Sequence, residues 1–281
     1  MTYRSLLVLL DAHPACDART DAAIRLAKSF DCHLSGLAPT GVIDLPAVPG
    51  SASSLQHLYE QTWDLLREQA EIVAQRFRDR CQRAGVRSFD TAVEEGDKPS
   101  SLLRHSNCND LVLVSRADDP AERRPTHDLV EQVVMQSACP TLILTDSSRV
   151  PSLGKTVLVA WDDSREASRA LRDALPLLRA AEQVHVLSWD EKDKRGPHQA
   201  LRERLHALAR WLERQGVENA QPRVEAASSG ISEAMLARAA DLQADLIVMG
   251  AYGHARWAER LLGGATHGLL DKATVPLLMT H

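Results

Sequence analysis

The chain has no stretch of about 18 uncharged apolar residues, so no membrane span is expected. The opening run Met1-Thr-Tyr-Arg-Ser-Leu-Leu-Val-Leu-Leu-Asp11 resembles a signal segment only superficially. Its apolar part is too short and Asp11 ends it, so it reads as a first core strand. Cysteine is scarce: Cys16, Cys32, Cys81, Cys108 and Cys139, an odd number with no C-x-x-C pair. That pattern excludes a disulfide framework and suits a reducing, cytoplasmic compartment. There is no long basic run, and the net charge is −5, which argues against a nucleic-acid partner. No G-x4-G-K-[ST] loop, G-x-S-x-G elbow or H-E-x-x-H pair occurs. A Walker phosphate loop, a serine-hydrolase elbow and a zincin site are therefore excluded. The 11 histidines are scattered, and zinc ligation is not expected.

What is present is a duplication. At 281 residues the chain suits two domains of about 140 residues each. Leu6-Leu-Val-Leu-Leu-Asp11 parallels Val157-Leu-Val-Ala-Trp-Asp162. Asp110-Leu-Val-Leu-Val-Ser115 parallels Asp245-Leu-Ile-Val-Met-Gly250, and Cys139-Pro-Thr-Leu-Ile-Leu144 parallels Val275-Pro-Leu-Leu-Met279. The order is the same in both halves, which gives domains at 1–146 and 154–281. The segment between them, Asp146 to Gly154, has the composition of a linker.

Short continuous apolar strands alternate with amphipathic helices, which predicts a parallel sheet covered on both faces. Right-handed crossovers then give an open doubly wound α/β sheet of five strands in each half. In the second half the spacing predicts a helix from about Ser164 to Ala180, with Ser164 as N-cap and a kink at Pro176. A helix over about 197–215 should stop at Gly216. The first half should contain one long helix, about Leu55 to Arg83, stopped at Gly85. The first and fourth strands of each sheet should be central neighbours. That places Asp162 and the loop after Met249 at one crevice, at the carboxyl ends of the strands.

That loop carries the chemistry. Met249 ends a buried strand; Gly250 and Gly253 follow, then nine residues, then Gly263 and Gly264 opening a helix. Glycines let backbone N–H groups approach an anion, and a helix start offers unpaired N–H groups and a positive dipole end. A purely structural reading stands beside this one. Gly250 and Gly253 could serve a tight turn, Gly263 close helix–sheet packing, and Asp162 or Asp163 a helix cap. Trp161, Trp189 and Trp257 could stack on a base, but packing is the commoner use of such residues.

The paired halves, the strand-ending Asp and the spacing Gly250-x2-Gly253-x9-Gly263 resemble a tandem universal stress protein. The resemblance implies the adenine nucleotide alpha hydrolase-like fold, with the two sheets packed as a pseudo-twofold pair through Pro140–Leu144 and Val275–Met279. It also implies an ATP site in the second half only, formed by Asp162, Met249, Gly250, Gly253, Gly263 and Gly264. Asp162 would recognise adenine and the glycines would meet ribose and phosphate. Mg2+ would arrive only with the nucleotide, and no catalytic residue is implied. Family members usually place Ser or Thr after the third glycine, where this chain has Gly264. The missing hydroxyl removes a bond worth roughly 1.5–3 kcal/mol, about one to two decades in affinity. In the first half Ser115 replaces Gly250, and the acidic segment after Arg116 lacks glycine, so no nucleotide is expected there. The expected function is an adenine-nucleotide-responsive stress protein with an unidentified protein partner. The alternative is a nucleotide-free interaction module whose crevice is empty or holds a small apolar ligand.

Overall fold

The computed structural model describes residues 2–41, 52–117, 120–145, 152–191, 198–227, 230–251 and 264–281. Packing divides it into two compact units, one of Tyr3–Ser115 with Ser137–Cys139, the other of Arg116–Gln136 with Pro140–His281. The sequence repeat and this division differ in one respect. The last helix and strand of the first copy pack with the elements of the second.

The first unit runs β1 (Ser5–Leu9), α1 (Cys16–Phe30), β2 (His33–Pro39), α2 (Ala52–Ala84), β3 (Phe89–Glu94), α3 (Lys98–Ser106) and β4 (Leu111–Arg116). Its strands lie in the order β3-β2-β1-β4, each pairing in parallel where the register is described, with Leu6 opposite both Leu34 and Leu111. Leu6, Leu7, Val8 and Leu9 are all buried, as a strand covered on both faces requires. Asp97 caps α3 by accepting the Ser100 N–H at 2.9 Å, with a proline at the start of the helix where no N–H is needed. The long helix α2 ends as expected before Gly85, whose φ of 68° is a left-handed conformation. Its apolar stripe Ala70, Ala74, Phe77 and Cys81 is buried, whereas Leu65 and Ile72 stand exposed.

The second unit contains α4 (Pro120–Gln136), β5 (Thr141–Thr145), β6 (Thr156–Ala160), α5 (Arg165–Asp173), α6 (Leu175–Ala180) and β7 (Gln183–Glu191). It continues with α7 (His198–Arg214), β8 (Ala220–Ala227), α8 (Ile231–Asp241), β9 (Leu246–Gly250), α9 (Gly264–Lys272) and β10 (Leu277–Thr280). The strand order is β5-β10-β9-β6-β7-β8. All pairs are parallel except β5 with β10, which run antiparallel with Leu277 opposite Ile143 and Met279 opposite Thr141. β5 and β10 thus satisfy each other's backbone groups along their shared edge.

The copies share their strand order, β3-β2-β1-β4 matching β8-β7-β6-β9. They also share a small device. Asp110 accepts the Arg4 and Ser5 N–H groups at 2.6 and 3.0 Å, and Asp245 accepts those of Lys155 and Thr156 at 3.1 and 3.0 Å. Each carboxylate pins the start of the central strand to its fourth-strand neighbour. The helix expected over 164–180 is two helices: Pro176 lacks the N–H that would join them, and Ala174 lies between. No helix among the described residues is long and apolar enough to cross a membrane.

Candidate functional site

The second unit brings Asp162 and Gly250 to the carboxyl ends of two adjacent strands. β6 and β9 pair in parallel with Ala160 opposite Met249, so both chains leave the sheet at the same level. Trp161 stays with the sheet: its N–H donates to Leu187 O at 2.9 Å and it is 5% exposed. Its indole Nε1 is buried with no hydrogen-bond partner among the described residues. Asp162 then turns the chain. Its Oδ1 accepts the Ser164 N–H at 3.0 Å, a local turn typical of Asp. Ser164 caps α5 through its hydroxyl, which accepts the Ala167 N–H at 3.0 Å. The neighbouring Asp163 adopts a left-handed φ of 64° and pairs with Arg204 on α7. The cap is therefore Ser164, and the two aspartates divide between a turn at the strand end and an ion pair.

Gly250 has a packing requirement of its own. A Cβ there would stand 2.5 Å from Ala167 N and 2.6 Å from Glu166 C, both backbone atoms of the first turn of α5. Only hydrogen fits, so the turn carrying Asp162 and Ser164 is seated directly against the strand end. One residue on, the Ala251 N–H still bonds Thr280 O at 2.9 Å, which holds the exit of the strand in the sheet. Met249 is buried at 3% exposure, so its side chain belongs to the core and only its backbone could face a ligand. Gly253 and Gly263 lie outside the described residues. Gly264 is the first residue of α9.

The far end of α9 is held by a residue that no motif indicated. Arg116, the last residue of β4, is 4% exposed and donates through Nη1 to Leu270 O and through Nη2 to Ala273 O, the latter at 3.0 Å. On the flank, Lys272 Nζ bonds Glu233 Oε1 of α8 at 2.8 Å. The only sequence signal for Arg116 was its position, directly after Ser115, where the second copy has Ala251.

In the first unit the matching crevice is closed. Asp11 Oδ1 accepts from Arg19 Nη2 at 2.8 Å and from the His13 N–H at 3.3 Å, and Oδ2 accepts from Lys98 Nζ at 3.0 Å. Arg19 is 1% exposed and also donates through Nε to Leu9 O at 2.8 Å. Burial by itself would push the Asp11 carboxyl up. The adjacent Arg19 and Lys98 charges and their hydrogen bonds outweigh it and hold the group well below the usual carboxylate range. Among the described residues of the second unit, no cation pairs with Asp162. Asp162 Oδ2 makes no hydrogen bond among the described residues. Where α3 begins with Lys98, α8 begins with the apolar Ile231.

Residues 154–281 match the family model described as the universal stress protein family. A universal stress protein from Archaeoglobus fulgidus has a similar structure: TM-score 0.75, 18% identity, with 98% of this chain and 95% of that one covered. A putative universal stress protein from Pseudomonas aeruginosa UCBPP-PA14 matches with TM-score 0.60, 17% identity and coverage of 99% and 93%. A functionally unknown protein from Pseudomonas aeruginosa PAO1 matches with TM-score 0.58, 17% identity and coverage of 99% and 92%. At these identities the structures establish a shared fold. No curated protein matches the sequence.

Proposed function

Because residues 154–281 match the universal stress protein family, we propose that this half is an adenine-nucleotide sensor that binds ATP. The observation that carries the reading is the difference between the two strand-ending aspartates. Asp11 is sealed by two cations, whereas Asp162 keeps one carboxylate oxygen without a bond among the described residues, as an acceptor for a base amino group requires. Asp162, the backbone of Met249 and Gly250, the glycines Gly253 and Gly263, and the α9 start at Gly264 would hold adenine, ribose and phosphates in turn. Phosphate would sit at the α9 N-terminus, where unpaired N–H groups and the dipole favour an anion. Mg2+ would enter with the nucleotide.

The function is binding, with the occupied state altering contacts to a partner protein. Any turnover would be slow, since no side chain is assigned as general base. Five free cysteines fit a reducing, cytoplasmic setting. The second reading is a nucleotide-free interaction module, and one observation favours it: the contact with α5 accounts for Gly250 without any ligand.

Equilibrium binding of labelled ATP to the full chain separates the two. Saturable binding that is lost in Asp162→Ala and in Gly253→Val is expected, because a β-branched side chain would fill the phosphate space. No saturable binding at millimolar ATP overturns the sensor, and sustained release of ADP beyond one equivalent overturns the non-enzymatic assignment.

A further inference from the structure

Arg116 belongs to the first copy, yet its guanidinium bonds carbonyls of the second. The last carbonyls of a helix have no partners within it. At this end of α9 two carbonyls, Leu270 O within the helix and Ala273 O directly after it, are taken by the Arg116 fork. A planar guanidinium can hold both at once, and its charge stands at the negative end of the helix dipole. α9 is nine residues long, too short to be stable in isolation. A helix of that length is a rod of roughly 14 Å, so a clamp on one end constrains the other. That other end is Gly264, the proposed phosphate seat. The strand end does not itself need arginine, because Ala251 occupies the same position in the second copy and bonds Thr280 O through its backbone.

We propose that Arg116 is a positioning residue for the nucleotide site of the second half: by clamping the carboxyl end of α9 it sets the position of the N–H groups at Gly264. The inference rests on the nucleotide reading and gives a residue of the first copy a function in the second.

The test uses the full chain with Arg116→Ala, Arg116→Lys and, as control on the same helix, Lys272→Ala. Hydrogen exchange of the amides at 268–273 and the ATP Kd are measured on each, with far-UV circular dichroism to show that the variants fold. Loss of two charge-assisted hydrogen bonds should lower amide protection in Arg116→Ala by about tenfold or more. The ATP Kd should rise by about threefold or more, since binding must then also order the helix. Arg116→Lys, whose ammonium reaches a single carbonyl, should fall between wild type and Ala in both readouts and decides the case if Arg116→Ala does not fold. Lys272→Ala should leave the Kd unchanged. Unchanged protection in Arg116→Ala overturns the clamp. Lost protection with an unchanged Kd overturns its link to the site. A wild-type chain that does not bind ATP overturns the nucleotide reading and the positioning role with it, while the exchange data still report on the clamp separately.

Discussion

Substituting Gly250 by Ala adds one methyl group at the most constrained point of the site. The new Cβ would lie 2.5 Å from Ala167 N, 2.6 Å from Glu166 C and 2.8 Å from Glu166 Cβ, whereas ordinary contact begins at 3.4 Å. The nearest atom must retreat by about 0.9 Å, and because it is helix backbone the first turn of α5 must move as a unit. Overpacking of this kind costs about 1–3 kcal/mol. The same movement strains the Ser164 cap, since its acceptor bond is to the N–H of Ala167. Loss of a cap costs about 1 kcal/mol more. The expected total is about 2–4 kcal/mol. For a unit of this size that corresponds to a fall in Tm of roughly 4–16 °C. Urea denaturation of the full chain, wild type against Gly250→Ala, reads the same quantity as a lower midpoint. The reciprocal change in the first copy, Ser115→Gly, should cost only the ~0.5–1 kcal/mol of added backbone freedom. A Gly250→Ala protein within about 0.5 kcal/mol of wild type, the scatter of neutral surface changes, would refute the packing argument for this glycine.

Three further outcomes are expected. Asp11 has its folded pKa depressed, so its ion cluster contributes stability at neutral pH that declines as pH falls below about 4, the unfolded value. Asp11→Asn should therefore be clearly less stable at pH 7, with the gap narrowing by pH 2 in acid-dependent urea titrations; a gap independent of pH would contradict the ion cluster. Asp173 has the opposite sign. Burial raises its carboxyl against the lowering effects of the Thr280 hydroxyl, which donates to it at 3.1 Å, and of Arg169. Its ionised form thus weakens the fold at neutral pH. Asp173→Asn, which keeps an acceptor for Thr280, should raise the urea midpoint at pH 7, and the gain should vanish below about pH 4. Gly264→Ser restores a hydroxyl at the α9 start and should tighten ATP binding by about 10–100-fold, read as a lower Kd in equilibrium binding; an unchanged Kd would remove Gly264 from phosphate contact.

Much of this protein is local in origin. The runs at Leu6–Leu9 and Val157–Ala160 contain only apolar residues, and any stable fold must bury such strands on both faces. Ser164 stands where a hydroxyl can reach the N–H three residues on, Gly216 stops α7 with a φ of 81°, and Pro176 cannot donate the bond that would make α5 and α6 one helix. The three matching segment pairs revealed two copies, and the alternation of strands and helices gave the central neighbours. Of the candidate site, the turn at Asp162 and the glycine ending β9 are legible in the sequence, while Gly253 and Gly263 lie outside the described residues.

Tertiary structure decided which strand-ending aspartate is paired with cations. Asp11 and Asp162 look alike in the sequence. Lys98, 87 residues downstream of Asp11, bonds one, and Ile231 stands at the equivalent helix start in the other. Gly250 is a glycine because a helix begun more than 80 residues earlier in the chain presses its backbone on that point. Arg116 reaches carbonyls 154 and 157 residues away, and the antiparallel seam of β5 and β10 groups the end of the first copy with the second. None of these has a short-range signature. A hydrogen bond or an excluded methyl group depends on separations of a few ångströms, and between segments far apart along the chain those separations exist only once the sheet has assembled.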